Sequence, residues 1–234
     1  MKLLALDTAT EACSAALSID GEIIQRYEIA PRRHSNLLLP MIDSLINEAD
    51  IDKSDLDAIA FCRGPGSFMG VRIATGVAQG IAFALSLPVI PVSSLAAMAM
   101  VNNRSTGEKH IACAIDARMN EVYWGCYEIN DTAIPNLIGD EQVLAPHRIT
   151  LPVGDRWVGA GTGWGSYRDE MSPDLITNMH AIHPECLPDA SAIATIGVSM
   201  FADGQSVSAS QAVPVYIRNN VAQTTKEREQ AKSL

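Results

Sequence analysis

Three groups of residues have the types and spacing to do chemistry. The first is the run Gly64-Pro65-Gly66-Ser67-Phe68-Met69-Gly70-Val71-Arg72, set between a short apolar segment (58–62) and a stretch of small and apolar residues (73–87). A strand, a glycine-rich turn and a helix start are the parts that gather backbone N–H groups around a phosphate. They are also the parts of a plain tight turn. The run departs from the known phosphate fingerprints. No lysine lies between Lys53 and Lys109, so GxxxxGK[ST] fails. Gly64, Gly66 and Gly70 spell GxGxxxG, with no acidic residue before Glu108. Ser67 directly follows Gly66, which rules out a GxSxG nucleophile elbow. What remains is Pro65 to fix a turn, Gly64 and Gly66 to permit positive φ, and Ser67 as a helix N-cap. Ligand binding and a structural or interface role both stay open for this loop.

The second group is Asp7 and Asp116, each ending an apolar run and followed by a short turn (8–10 and 117–119). Paired aspartates at strand ends can hold a metal and a water near phosphates in a nucleotide-clasping fold. Neither turn contains a glycine, and aspartate as a simple turn residue is the competing reading. The third group is the five histidines and five cysteines. No HxxxH or HExxH is present, only His180 and His183 are close, and no CxxC occurs, so no metal site is expected. Cys13, Cys62, Cys113 and Cys126 sit in apolar runs, which points to buried thiols in a reducing compartment.

The elements that must position these groups can be read from pattern. Residues 2–6, 13–19 and 22–29 read as a strand meander turning at Asp20-Gly21, and 34–49 as an amphipathic helix. A strand over 58–62, a helix over 73–87, a strand over 88–92 and a helix over 95–101 behind Ser93-Ser94 follow. In the 73–87 helix, Gly76 and Gly80 share a face with Arg72 and Phe83, while Ile73, Val77, Ile81 and Leu85 (or Ala84) line another. Interior glycines cost roughly 1 kcal/mol each relative to alanine, so another backbone is expected to pack on that face, from this chain or from a partner. Residues 102–109 are a polar, turn-rich gap, and the lobe boundary is placed there, giving lobes 1–103 and 104–234. Beyond it the strand–Asp–turn–strand order repeats over 111–129, as expected of two similar halves. The second half is less regular, with strands near 142–144 and 156–158, a loop over 159–163 and a helix over 189–202. The polar tail from Thr224 is expected to fray.

Composition narrows the classes. Of 234 residues, 47% are hydrophobic and 19% charged, and the net charge is −10, an ordinary globular balance. Acidic surfaces bind nucleic acid poorly unaided, so contact with nucleic acid would need a partner that supplies the basic surface. The longest charge-free apolar stretch is broken by Gly76, Gln79, Gly80, Pro88 and Pro91, so no membrane span is expected. Only four apolar residues lie between Lys2 and Asp7, so no signal peptide is expected and the location is read as cytoplasmic.

The N-terminal LALDTAT-ACSAAL, the GPGSF-GVR loop, the DAR-NEVYWGCY unit and PVYIR at Pro214 to Arg218 together resemble the bacterial TsaB family, also called YeaZ. Met69 stands where that family usually has threonine. The resemblance implies an α/β, two-lobed actin/Hsp70/sugar-kinase-like fold of two ribonuclease-H-like lobes, the second reduced. It implies a non-catalytic scaffold or activating subunit in the formation of threonylcarbamoyladenosine at position 37 of tRNA. The implied partners are the transferase subunit TsaD and the ATPase subunit TsaE, with a possible homodimer and with tRNA met only through the complex. ATP or ADP and metal would be handled by those partners. On this reading Gly64, Pro65, Gly66, Ser67, Phe68, Gly70, Arg72, Gly76, Gly80 and Phe83 form an interface. Asp7, Thr8, Asp116 and Arg118 would be a vestigial nucleotide site, with no catalytic or metal residue. The alternatives are an ATP-binding or ATP-hydrolysing kinase-like enzyme using Asp7 and Asp116, and a glycoprotease-like peptidase.

Overall fold

The computed structural model describes residues 1–153 and 156–218; the tail from Thr224 lies outside them. The first sheet starts with the expected antiparallel meander of β1 (Lys2–Asp7), β2 (Ala12–Ile19) and β3 (Glu22–Ile29). Asp20 and Gly21, at φ 49° and 97°, make its first turn, the left-handed geometry that two-residue hairpins need. Then β4 (Ala58–Gly64) pairs parallel with β1, and β5 (Val89–Ser93) parallel with β4, giving the order β3-β2-β1-β4-β5. The central strands β1 and β4 are buried almost throughout, which is why they read as continuous apolar runs and not as alternating ones.

The second sheet repeats this plan strand for strand. β6 (His110–Arg118), β7 (Glu121–Ile129) and β8 (Pro135–Leu144) form an antiparallel meander. β9 (Trp157–Ala160) joins parallel to β6 and β10 (Met179–His183) parallel to β9, in the order β10-β9-β6-β7-β8. The duplication inferred from two strand–Asp units therefore extends to all five strands, and the fold is the expected two-lobed α/β architecture.

The helices show how the second lobe is reduced. In the first lobe α1 (His34–Glu48) links β3 to β4, α2 (Phe68–Leu85) links β4 to β5, and α3 (Ser94–Thr106) follows β5. In the second, the β8–β9 link carries only a 3-10 turn (Pro146–Arg148) among its described residues, where α1 has 15 residues. The β9–β10 link holds two short helices, α4 (Thr162–Ser166) and α5 (Pro173–Asn178), in place of the 18-residue α2. Only α6 (Ala190–Ala202), capped by Asp189 accepting from the Ala192 N–H at 2.8 Å, matches its counterpart α3 in length.

Some local expectations fail for identifiable reasons. Residues 102–106 are the last turn of α3, not a polar gap, because Asn102 is buried and its carbonyl oxygen accepts from the Ser105 and Thr106 hydroxyls. The run 159–163 is the end of β9 and the start of α4, with Gly159 lying beneath the Trp164 ring. His180 and His183 are on β10.

The lobes share a core: a cluster of buried side chains runs from Leu4 and Phe61 in the first sheet to Ile111 and Tyr127 in the second, by way of α3 and α6, while a second cluster around Trp124 and Trp164 is confined to the second lobe. Helix α6 follows the second sheet in sequence but packs on β1 and β2 of the first. Gly197 allows this, since a Cβ there would lie 2.8 Å from that of Ala60. A polar cluster also bridges the lobes. Glu141 on β8, with its side chain 8% exposed, pairs with Arg63 of β4 at 3.2 Å. It also accepts hydrogen bonds from the Tyr127 hydroxyl at 2.6 Å and from Ser93.

Candidate functional site

The glycine-rich loop is clamped to the turn after β1. Gly64 ends β4 at φ 99°, and the Gly64–Pro65 peptide is cis. The Ser67 N–H donates to the Ala9 carbonyl at 2.7 Å, and the Thr8 hydroxyl donates to the Gly70 carbonyl at 2.6 Å. A Cβ on Gly66 would lie 2.4 Å from the Ala9 oxygen, and one on Gly70 2.0 Å from the Thr8 oxygen. Gly64 thus needs its left-handed backbone as expected. Gly66 does not: it is required for close approach, not for positive φ. The space opened by Gly66 and Gly70 is filled by carbonyl oxygens, which repel anions. Ser67 caps α2, its hydroxyl accepting from the Gly70 N–H at 3.4 Å.

That clamp fixes where α2 points. Its buried stripe is Val71, Ala74, Ala78 and Ala82, with Thr75, small residues that let the helix lie close to β4. Ile73, Val77, Ile81 and Leu85, expected as one apolar face, are half-buried flanks of that stripe. The other side is open. Phe68 is 56% exposed, Met69 62% and Phe83 83%, with Arg72, Gly76 and Gly80 exposed between them. Nothing lies within 4 Å of a Cβ built on Gly76 or Gly80, so no part of the described chain packs there. The Arg72 guanidinium sits 3.4 Å over the Phe68 ring and 5.4 Å from the ring centre of Tyr216. Stacked on two rings, its charge is held over an apolar surface. Among the described helices α2 alone has the length and apolar content of a membrane span, although one side is buried on the sheet.

The structure does not bring Asp7 and Asp116 into contact. Asp7 is fully buried; its Oδ1 accepts from the Ala9 N–H at 2.9 Å, and Oδ2 has no partner among the described residues. Burial pushes its pKa up to about 6, against the opposing effect of the adjacent Cys62 thiol and the Ala9 N–H, with Asp189 adding repulsion. Asp116 is tied at the β6–β7 turn, accepting from the Arg118 N–H at 2.7 Å and the Tyr167 hydroxyl at 2.8 Å and pairing with the Arg118 guanidinium at 3.1 Å. Each aspartate accepts the N–H two residues on, so both make the same local turn in equivalent places. Thr8 faces Gly70 and not a cleft. Among the described residues no three metal-ligating side chains converge, and Cys13, Cys62, Cys113 and Cys126 are buried free thiols.

Three residues were missed from sequence: Tyr216 beside Phe68, Met119 (71% exposed) at the β6–β7 turn, and the half-buried Arg218 that touches it. Tyr216 and Arg218 belong to PVYIR, which in sequence carried only a resemblance. In the structure that segment runs beside the loop, with Tyr216 and Phe68 ring centres 6.3 Å apart.

A family model described as "TsaD: tRNA N6-adenosine threonylcarbamoyltransferase" matches residues 22–162. The tRNA threonylcarbamoyladenosine biosynthesis protein TsaB of Escherichia coli (strain K12) is 41% identical over 228 residues, covering 95% of this chain and 96% of its own. The chain belongs to the TsaB family. The TsaB protein of Haemophilus influenzae is 38% identical, over 94% of this chain and 95% of its own. A solved structure titled "YeaZ from Pseudomonas aeruginosa" has a TM-score of 0.87 and 48% identity, covering 92% of this chain and 99% of that one. The likeness to this TsaB-family structure thus takes in both lobes, including the reduced second one.

Proposed function

We propose that this chain is a non-catalytic, activating subunit in the formation of threonylcarbamoyladenosine at position 37 of tRNA. It acts by docking the open face of α2 on the transferase subunit TsaD. The observation that supports this reading is the face itself. Phe68, Met69 and Phe83 are exposed along a helix whose Gly76 and Gly80 leave room for another helix to approach at backbone distance, the small-xxx-small geometry. Exposed apolar residues grouped in this way mark interaction surfaces. A net charge of −10 favours meeting tRNA through a partner and not directly. ATP, metal and the ATPase subunit TsaE are then the concern of the assembled complex, and the same α2 face serves a homodimer when TsaD is absent.

The test is Gly76→Trp and Gly80→Trp, with folding checked by circular dichroism. Sedimentation of each variant with TsaD should show pairing weakened at least ~100-fold, the equivalent of about 2.7 kcal/mol. Wild-type pairing by both variants would eliminate α2 as the docking face. One observation favours a second reading, a nucleotide-binding enzyme: the buried Asp7 oxygen that has no partner among the described residues. Calorimetry of the isolated chain with ATP and Mg²⁺ separates the two, since that reading requires tight binding that Asp7→Ala abolishes.

A further inference from the structure

The segment Val207 to Arg218 runs from one lobe to the other. It starts on the first sheet, where Val207 and Val89 exchange backbone hydrogen bonds at 2.8 and 2.9 Å. Gln79 of α2 then donates to the Ala212 carbonyl at 2.7 Å, and the Val215 N–H donates to the Arg63 carbonyl at 2.8 Å. A Cβ on Gly64 would lie 3.3 Å from the Val215 oxygen, so the segment lies directly against the glycine-rich loop. Its far end is on the second lobe. Arg218, with its side chain 14% exposed, pairs with Glu121 and donates to the Arg118 carbonyl at 3.2 Å.

The place that Arg218 grips is strained. Arg118, Met119 and Asn120 are three successive non-glycine residues in the left-handed region, at φ 63°, 58° and 56°. Such residues persist where surrounding contacts over-determine them, and Arg218 supplies two of those contacts. Arg63 joins this arrangement to the polar cluster between the lobes: its carbonyl holds the segment while its guanidinium holds Glu141.

We infer that Pro214 to Arg218 is a strap that locks the two lobes together. Arg218 is the positioning residue at its far end, holding both the β6–β7 turn and the strap's own place beside the glycine-rich loop. Nothing in this depends on which partner meets α2. Two predictions separate a strap from a loosely laid tail. Releasing Arg218 should free the segment at its first-lobe end, where Val215 meets Arg63. It should also free the turn that Arg218 grips in the other lobe.

The test is hydrogen exchange of the isolated full-length chain, comparing wild type with Arg218→Gln, Glu121→Gln and Arg218→Lys. Arg218→Gln should speed exchange about tenfold or more both at the Val215 amide and over residues 118–121. Glu121→Gln should reproduce this from the opposite lobe, and Arg218→Lys, which keeps the ion pair, should restore most of the protection. The amides of β1 and β4 serve as controls and should be unchanged, which distinguishes strap release from general unfolding. If the Val215 amide keeps its wild-type rate in both Gln variants, or if only one of the two segments is released, the strap is refuted. Because no partner is present, neither result bears on whether α2 is a docking face.

Discussion

Replacing Gly70 by alanine should damage this protein more than any other single methyl group added to α2. The new Cβ would stand 2.0 Å from the Thr8 carbonyl oxygen, where real contacts do not fall below 3.0 Å. The loop must therefore retreat from the β1–β2 turn by ~1 Å, an overpacking that costs about 1–3 kcal/mol. That retreat stretches two hydrogen bonds, Thr8 hydroxyl to Gly70 at 2.6 Å and Ser67 N–H to Ala9 at 2.7 Å, each contributing about 1 kcal/mol. Alanine's better helix propensity returns at most about 1 kcal/mol. The net loss is then roughly 2–4 kcal/mol, or a fall in Tm of ~4–16 °C for a chain of this size. Urea denaturation measures it. Gly76→Ala is the internal control: it meets nothing and should stabilise the isolated chain by up to about 1 kcal/mol. The clamp is disproved if Gly70→Ala stays within about 1 kcal/mol of wild type, or if the two alanine variants are equally destabilised.

Asp7 should make stability fall with rising pH. Its folded-state pKa of about 6 lies above the ordinary 3.8, so between roughly pH 4 and 6 the folded chain holds a proton that the unfolded chain has lost. The favourable effect of the protonated carboxyl is complete below pH 4 and gone above pH 6, a swing of ~3 kcal/mol. Asp7→Asn should thus be worth about 3 kcal/mol more, relative to wild type, at pH 7.5 than at pH 4; a difference independent of pH in urea titrations would contradict this. Glu141→Ala leaves Arg63 and Tyr127 without their shared partner and should cost about 3–5 kcal/mol, with Tyr127→Phe costing only about 1–2 kcal/mol. Equal losses from the two, measured by the same titration, would mean that the ion pair contributes nothing.

The repeat was legible in the sequence because central strands buried on both faces advertise themselves. The runs 3–6 and 111–115 are apolar without interruption and each is followed directly by an aspartate, Asp7 and Asp116. The first-lobe helices were legible from period and caps, down to Ser67 and Ser93. The second lobe was harder to read since α4 and α5 have 5 and 6 residues, too few turns for a helical period to emerge. Gly76 and Gly80 marked the α2 face in the sequence but left open whether this chain covers it; the structure leaves it exposed. The role of Gly66 was not foreseen, because close approach to Ala9 is a contact across 57 positions of sequence. The same limit hid Arg218 and the group around Glu141. Their partners are 97 and 78 residues away, and single charged residues carry no periodic signal.

Helix α6 has a consequence for how the chain comes to be folded. It covers the side of the first sheet that carries Leu3 and Ala60, yet it is made after every strand of both sheets. While the nascent chain emerges from the ribosome, the earliest strands therefore wait with one side bare until residue 202 is available. The oldest part of the polypeptide is then the last to be closed. A fragment that stops before Ala190 would present that bare sheet to water and to other copies of itself, and should be recovered as aggregate and not as a half-sized protein.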